Sequence, residues 1–192
     1  VENYLHSLTH ELKSPLAAIQ GAAELLGEDL PEERRAGFIH NIRSEADRLR
    51  QVVERLLSLA EVEKRQGLER VERIDLRELV ETLSRDKEPV LAQRQVHLSL
   101  DLAAGMQVSG ERFLLQQAVN NLLDNAIQFS PRGGVITLRG YCEAGRCTLV
   151  IRDQGPGIPE YAGERIFERF YSLPRPDSGR KSSGLGLSLV RE

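Results

Sequence analysis

The chain has 192 residues, of which 40% are hydrophobic and 29% charged, a balance that suits one large globular domain or two smaller ones with real cores. Its formal net charge of -3 gives no electrostatic footprint for nucleic acid. No apolar run approaches the roughly 18 residues that a membrane span needs. The first predicted element is a helix running through HSLTHELKSPLAAI. Leu5, Leu8, Leu12, Ile19, Ala22 and Leu26 form one stripe at a period of about 3.6, with Pro15 in the slot between Leu12 and Ile19. At about 100° per residue, His10 stands almost opposite that stripe. Its imidazole is therefore expected on a rigid element but in water, with Glu11 beside it. On the same face, Ser14, Ala17 and Gly21 follow with little side-chain bulk. Gly21 either marks a place where a partner docks closely or is merely tolerated. Pro15 removes a helical hydrogen bond at a cost of roughly 3 kcal/mol, which reads as a flexing bend or as a fixed kink.

A second helix is predicted after GEDLP, where Pro31 suits a first turn, and runs to about Lys64. Ile39, Ile42, Ala46, Leu49, Val53, Leu56 and Ala60 alternate spacings of three and four, while Arg43, Glu45, Asp47, Arg48, Arg50 and Glu54 hold the other faces. Two amphipathic helices joined by a short loop make an antiparallel hairpin, and one hairpin cannot cover both of its own apolar stripes. Pairing two copies into a four-helix bundle would cover them, so a homodimer is expected.

After KRQGLERVER the pattern changes, which divides the chain into an all-α region at 1–66 and a second domain at 67–192. Asp75 can cap a helix reaching about Leu91; Val96, Leu98 and Leu100 alternate with polar residues as a half-buried strand; a long helix is predicted from Glu111 to Phe129. Gly134 to Tyr141 and Arg146 to Arg152 read as an antiparallel hairpin. Cys142 and Cys147 flank its turn; a cross-strand disulfide is conceivable, but two reduced thiols are the expectation. A glycine-punctuated segment and a loop with Pro174, Pro176 and Gly179 follow, then an apolar run from Leu185 to Val190 that begins a helix. The order implies an α+β two-layer sandwich, with helices on one face of a mixed sheet.

Four segments of the second domain carry the chemistry: NNLLDNA at 120–126, DQGPGI at 153–158, IFERFY at 166–171 and GLGL at 184–187. Singly, each has a bland reading: a solvated helix face, an Asp-initiated turn, a structural aromatic pair, a tight turn. Neither the P-loop nor the dinucleotide fingerprint fits, because there is no GxxxxGK[ST] and the last glycines lack a third partner. Asn121 and Asn125 lie one turn apart, so their amides share a face of the helix. Backbone N–H groups at the start of the final helix suit phosphates.

Taken in order with the His10 segment, these blocks resemble the H, N, G1, F and G2 boxes of sensor histidine kinases. The resemblance covers essentially the whole chain. It implies a dimerisation and phosphotransfer hairpin followed by an ATP-binding domain of the GHKL type. It further implies ATP-dependent phosphorylation of His10, with Glu11 as proton acceptor, and transfer to an aspartate of a response regulator. The family places ATP and Mg²⁺ among Asn121, Asn125, Asp153, Gly155, Gly157, Arg169, Lys181, Gly184, Leu185 and Gly186, with Asn125 on the metal and Asp153 accepting from the adenine amino group. Where related ATPases of this fold carry a water-activating glutamate, this chain has Asn121, which an ATP-protecting kinase site requires. Residues 172–183, with Arg175, Arg180 and Lys181, resemble the ATP lid, which Phe167 and Phe170 anchor. Ser14 stands where the family's phosphatase motif has Thr or Asn, so phosphatase activity is implied as an option.

Three departures stand out. Ser172 replaces a frequent arginine, Gln128 replaces a frequent lysine, and the sequence stops soon after GLGL, so the ATP-binding domain is expected to be incomplete at its C-terminus. A membrane connection is expected only through a segment absent from this chain, which would make it the cytoplasmic portion of a protein anchored in the bacterial inner membrane. His6, His40 and His97 lack His10's setting and are read as solvated. Two other functions stay open at this point: a dimeric module that binds nucleotide without transferring phosphate, and a GHKL ATPase acting on other substrates.

Overall fold

The computed structural model describes residues 2–28, 30–64, 67–174, 182 and 184–191; within the helices it describes the side chains of all but residues 2–8, 10, 11, 55 and 62–64. The N-terminal part is a hairpin of α1 (Glu2–Leu26) and α2 (Glu32–Lys64). Pro31 sits at the mouth of α2 as its sequence position demands: its carbonyl accepts from the N–H groups of Arg34 and Arg35 at 3.0 and 3.1 Å. Pro15 lies inside α1 and is fully buried, in the stripe that the periodicity assigns to it.

The seam of α2 divides in a way the heptad reading did not anticipate. Val52 and Leu59, outside the predicted seam, are 4% and 1% exposed, with Leu49, Ile42 and Leu56 half-buried beside them. Ile39, Ala46, Val53 and Ala60, inside it, stay exposed, as do Leu57 and Leu16 and Leu25 of α1. Two adjacent apolar lines therefore run along α2; one is covered and the other is left exposed.

The second part is a two-layer α/β arrangement. Strand β1 (Glu72–Asp75) leads directly into α3 (Leu76–Asp86), whose N-cap is Asp75: its carboxylate accepts from the Glu78 N–H at 3.1 Å. The helix expected to reach Leu91 breaks at Lys87, and α4 (Glu88–Arg94) starts afresh with Pro89 in its first turn. Proline cannot continue a helix without losing a bond, so the break follows from Pro89. Next come β2 (His97–Leu102), β3 (Gln107–Gly110), α5 (Arg112–Phe129), β4 (Val135–Glu143), β5 (Arg146–Arg152), two 3₁₀ turns at Glu160–Ala162 and Glu164–Phe167, and α6 (Gly186–Arg191).

β2, β4 and β5 form a mixed sheet in that order, β2 parallel to β4 and β4 antiparallel to β5. β1 and β3 make a separate antiparallel pair. The core lies between these strands and the helices α3 and α5, on Ile74, Val80, Met106, Leu123, Ile136 and Leu138. In the β4–β5 register Cys142 stands opposite Cys147, with Cα atoms 4.0 Å apart, and the two are joined as a disulfide. That corrects the reduced-thiol expectation: compartment statistics favoured thiols, but direct cross-strand pairing puts the sulfurs within bonding reach.

Two features tie the hairpin to the α/β part. Leu59, with Leu56 beside it, packs against Leu185, Leu189 and Phe170. Glu111, only 5% exposed at the N-cap of α5, accepts hydrogen bonds from the N–H groups of Glu69 and Arg70 in the connecting segment.

Candidate functional site

The four motif segments come together around one cavity of about 330 Å³ at the C-terminal half of α5. Leu122, Asn125, Ala126 and Phe129 of α5 form one wall; Ile151 of β5 and the following Asp153, Pro156, Gly157 and Ile158 form a second. Ile166, Phe167, Tyr171, Ser172 and Leu173 close a third side, and Ser182, Gly184, Gly186 and Leu187 complete the lining. The walls are mainly apolar with a few polar groups at one end, the composition of a site for a flat, partly apolar small molecule.

Backbone geometry explains two of the glycines. A Cβ on Gly155 would come within 2.7 Å of both the Phe129 carbonyl and Asp153 Oδ1, so the loop passes against the end of α5 only because Gly155 has no side chain. Asp153 Oδ1 accepts from the Gly155 N–H at 2.7 Å, which fixes the carboxylate at the cavity wall. The bland reading of Asp153 as a turn former is thus correct, and it coexists with a place in the lining. On the opposite side Gly184 has φ 63° and Phe170 has φ 62°. A Cβ on Gly184 would lie 2.5 Å from the Phe170 carbonyl carbon.

At the polar end a small second cavity is lined by Asn121, Asp124, Asn125 and Gln128 of α5, together with Ser182, Gly184 and Gly186. Asn121 packs against Gly186, where an added Cβ would meet Asn121 Oδ1 at 3.4 Å. Asn121 Nδ2 is buried and has no hydrogen-bond partner among the described residues. A buried amide donor costs about 1–3 kcal/mol if left unpaired, so its place beside two backbone glycines suits an anionic oxygen. Among the described residues no cluster of three His, Cys, Asp or Glu is present. Asn125, which lines both cavities, offers an amide oxygen that would fit a Mg²⁺ ion whose other ligands are water and phosphate.

Residues 2–65 match the His Kinase A (phospho-acceptor) domain, and residues 110–192 match the histidine kinase-, DNA gyrase B- and HSP90-like ATPase domain. All of the chain aligns, at 47% identity, with the sensor protein CreC of Escherichia coli strain K12. The chain belongs to the sensor histidine kinases. It spans 40% of the length of CreC. Among solved structures it is similar to the Acinetobacter baumannii histidine kinase AdeS, with a TM-score of 0.71 and 26% identity over 94% of this chain and 83% of that one. It is also similar to the histidine kinase ThkA in complex with the response regulator protein TrrA, with a TM-score of 0.72 and 25% identity over 85% of this chain and 48% of that one.

Within this histidine kinase frame the predicted residues fall into three groups. Asn125, Asp153, Gly157, Gly184 and Gly186 line the main cavity, and Asn121 lines the smaller one. Gly155 supports the loop from behind, and the Leu185 side chain is fully buried against Leu59 and Leu189, which leaves only its backbone to face a ligand. Arg169 is exposed and is not among the residues lining either cavity. Lys181 lies outside the described residues, as do Arg175 and Arg180 of the lid resemblance. His10 and Glu11 occupy successive positions of α1, with side chains outside the described residues; Ser14 and Ala17, four and seven positions on from His10, are exposed.

Phe167 lines the cavity with the Arg191 guanidinium 5.9 Å from its ring centre, whereas Phe170 turns toward α2. Sequence reasoning missed the apolar walls, Leu122, Phe129, Ile151, Ile158 and Tyr171. Their signal was present, since each sits within a few residues of a motif, but apolar residues next to motifs read first as core. No described helix is long and apolar enough to cross a membrane.

Proposed function

We propose that this chain is the phosphoacceptor and ATP-binding part of a sensor histidine kinase that phosphorylates its own His10 from Mg²⁺·ATP and passes the phosphoryl group to an aspartate of a response-regulator receiver domain. The observation that carries this reading is the convergence of Asn125, Asp153, Phe167 and Gly184, each from a different motif, on one cavity in a chain whose first helix presents His10 and Glu11 in succession.

In this reading the adenine lies between the apolar walls with its amino group donating to Asp153, and Gly157 leaves room for the base. Asn121 Nδ2 donates to a phosphate oxygen, the backbone at Gly184 and Gly186 approaches the triphosphate closely, and Lys181 balances its charge. Asn125 would hold a Mg²⁺ ion through its amide oxygen, and the ion would supply positive charge against the triphosphate. Neutral His10 attacks the γ-phosphorus through Nε2 and loses its Nδ1 proton to Glu11 as ADP leaves. Asn121, unlike a carboxylate, cannot activate water, so hydrolysis does not compete. Ser14, four positions on from His10 in α1, supplies a hydroxyl to orient a water for dephosphorylating the response regulator.

The uncovered line of Ile39, Val53 and Leu57 on α2, with Leu16 and Leu25 on α1, supports a four-helix homodimer. The likeness to ThkA in its complex with TrrA supports a receiver domain as the partner, and the sensor relatives support a cytoplasmic portion of a membrane-anchored protein. Incubation with γ-labelled ATP and Mg²⁺ tests the proposal: acid-labile, alkali-stable label is expected, and none in His10→Ala. Nucleotide binding without label would instead identify a nucleotide-responsive module, and phosphate release independent of His10 an ATPase.

A further inference from the structure

The break between α3 and α4 has a consequence at the polar end of the site. It turns Lys87 into the cap of one helix and the start of the next, and from that junction its Nζ reaches Asp124 Oδ1 on α5 at 2.6 Å. The two residues are 37 positions apart, and both side chains are mostly shielded, at 20% and 34% exposure. By contrast, Arg50 with Glu54 joins helix neighbours, and Arg139 with Asp101 joins well-exposed groups. Asp124 precedes Asn125 and lines the small cavity together with Asn121 and Asn125. A carboxylate therefore fronts the place where a triphosphate is expected, with its charge balanced by a lysine delivered from another element.

A bare carboxylate there would repel a metal-free triphosphate. It would also accept hydrogen bonds from the water ligands of a divalent cation, because Mg²⁺ keeps several waters when it binds. Lys87 engages one carboxylate oxygen and lowers the repulsion. We propose that Asp124, held by Lys87, is a metal-positioning residue: it receives the water ligands of the cation that Asn125 binds, and so makes the site prefer the metal–nucleotide complex over free nucleotide. The inference rests on the reading of this cavity as a Mg²⁺·ATP site.

The test is calorimetric measurement of ATP affinity on the whole chain, with Mg²⁺ and with chelator, and the quantity of interest is the factor by which Mg²⁺ tightens binding. In Asp124→Asn this factor is expected to fall roughly tenfold, about the worth of one charge-assisted hydrogen bond, while metal-free affinity holds or rises. In Lys87→Met the change has the opposite sign: metal-free affinity falls and the Mg²⁺ factor grows. Should either single variant fold poorly, the double variant Lys87→Met, Asp124→Asn leaves no unpaired buried charge and is expected to show the reduced factor. If all variants weaken both affinities equally, or leave the factor unchanged, the pair is only a strut between helices and the proposal is wrong. A wild-type chain that binds no ATP under either condition would overturn the nucleotide reading itself, and this inference with it.

Discussion

Phe170 and Gly184 clamp the two ends of the segment between them: the Phe170 N–H donates to the Gly184 carbonyl at 3.0 Å, and both residues lie in the left-handed region. Two residues inward the contact repeats, as the Ser172 hydroxyl donates to the Ser182 carbonyl at 2.8 Å. Ser172, which replaces a frequent family arginine, thus closes the base of the lid-like segment rather than reaching phosphate. Phe170 also packs against the cluster of Leu59, Leu185 and Leu189, so one residue joins the clamp to the helical hairpin.

Gly184→Ala is expected to open this clamp. The added methyl group meets the Phe170 backbone and the φ of 63° becomes strained, a cost of about 1–3 kcal/mol. Nucleotide affinity should fall roughly tenfold or more, with far-UV circular dichroism close to wild type. Unchanged affinity by calorimetry would show that the clamp does not shape the site.

The uncovered line on α2 is expected to be a subunit interface. Val53→Glu with Leu57→Glu alters residues that are 45% and 61% exposed within one chain, so the fold of the hairpin should survive. Sedimentation is expected to show a dimer for the unaltered chain and a monomer for this variant. A dimer that persists would place the second copy elsewhere.

Gly21→Ala separates folding from partner contact. Nothing lies within 4 Å of an added Cβ, so helix propensity alone should stabilise the hairpin by up to about 1 kcal/mol in denaturant unfolding. Since the chain's own packing does not require glycine there, phosphotransfer to a receiver domain is expected to slow while phosphorylation of His10 is unaffected. Equal transfer rates would return Gly21 to simple tolerance.

The disulfide is expected to be structural. It closes a small loop at the tip of the β4–β5 hairpin, worth about 2 kcal/mol by loop entropy, while Ile151 and Asp153 line the cavity from the other end of β5. Reduction should lower the unfolding midpoint and leave nucleotide affinity unchanged. A loss of affinity on reduction would contradict that separation.

Strong periodicity made α1, α2 and α5 legible, and Asp75 and Glu111 marked helix starts that the structure keeps. The motif segments foretold the cavity because they supply its polar groups and glycines. Other features lay below the resolution of a single sequence. β1 and β3 have four residues each, and β1 buries only Ile74, too little for an alternation to register. The α3–α4 break was signalled by Pro89 but outweighed by the apolar pattern through Leu91. Which of two neighbouring apolar lines on α2 is buried depends on helix rotation, which the spacing of Ile39, Ile42 and Val53 does not fix. The Lys87–Asp124 pair carries no local signature at all, since tertiary structure alone brings it together.

Localising the phosphoryl group tests the central claim most directly. After incubation with Mg²⁺·ATP at alkaline pH, tandem mass spectrometry of the digested chain should place one phosphohistidine at His10 and none at His6, His40 or His97, with the signal abolished by Asn125→Ala. Phosphate on another residue, or a His10 signal that survives Asn125→Ala, would contradict the account.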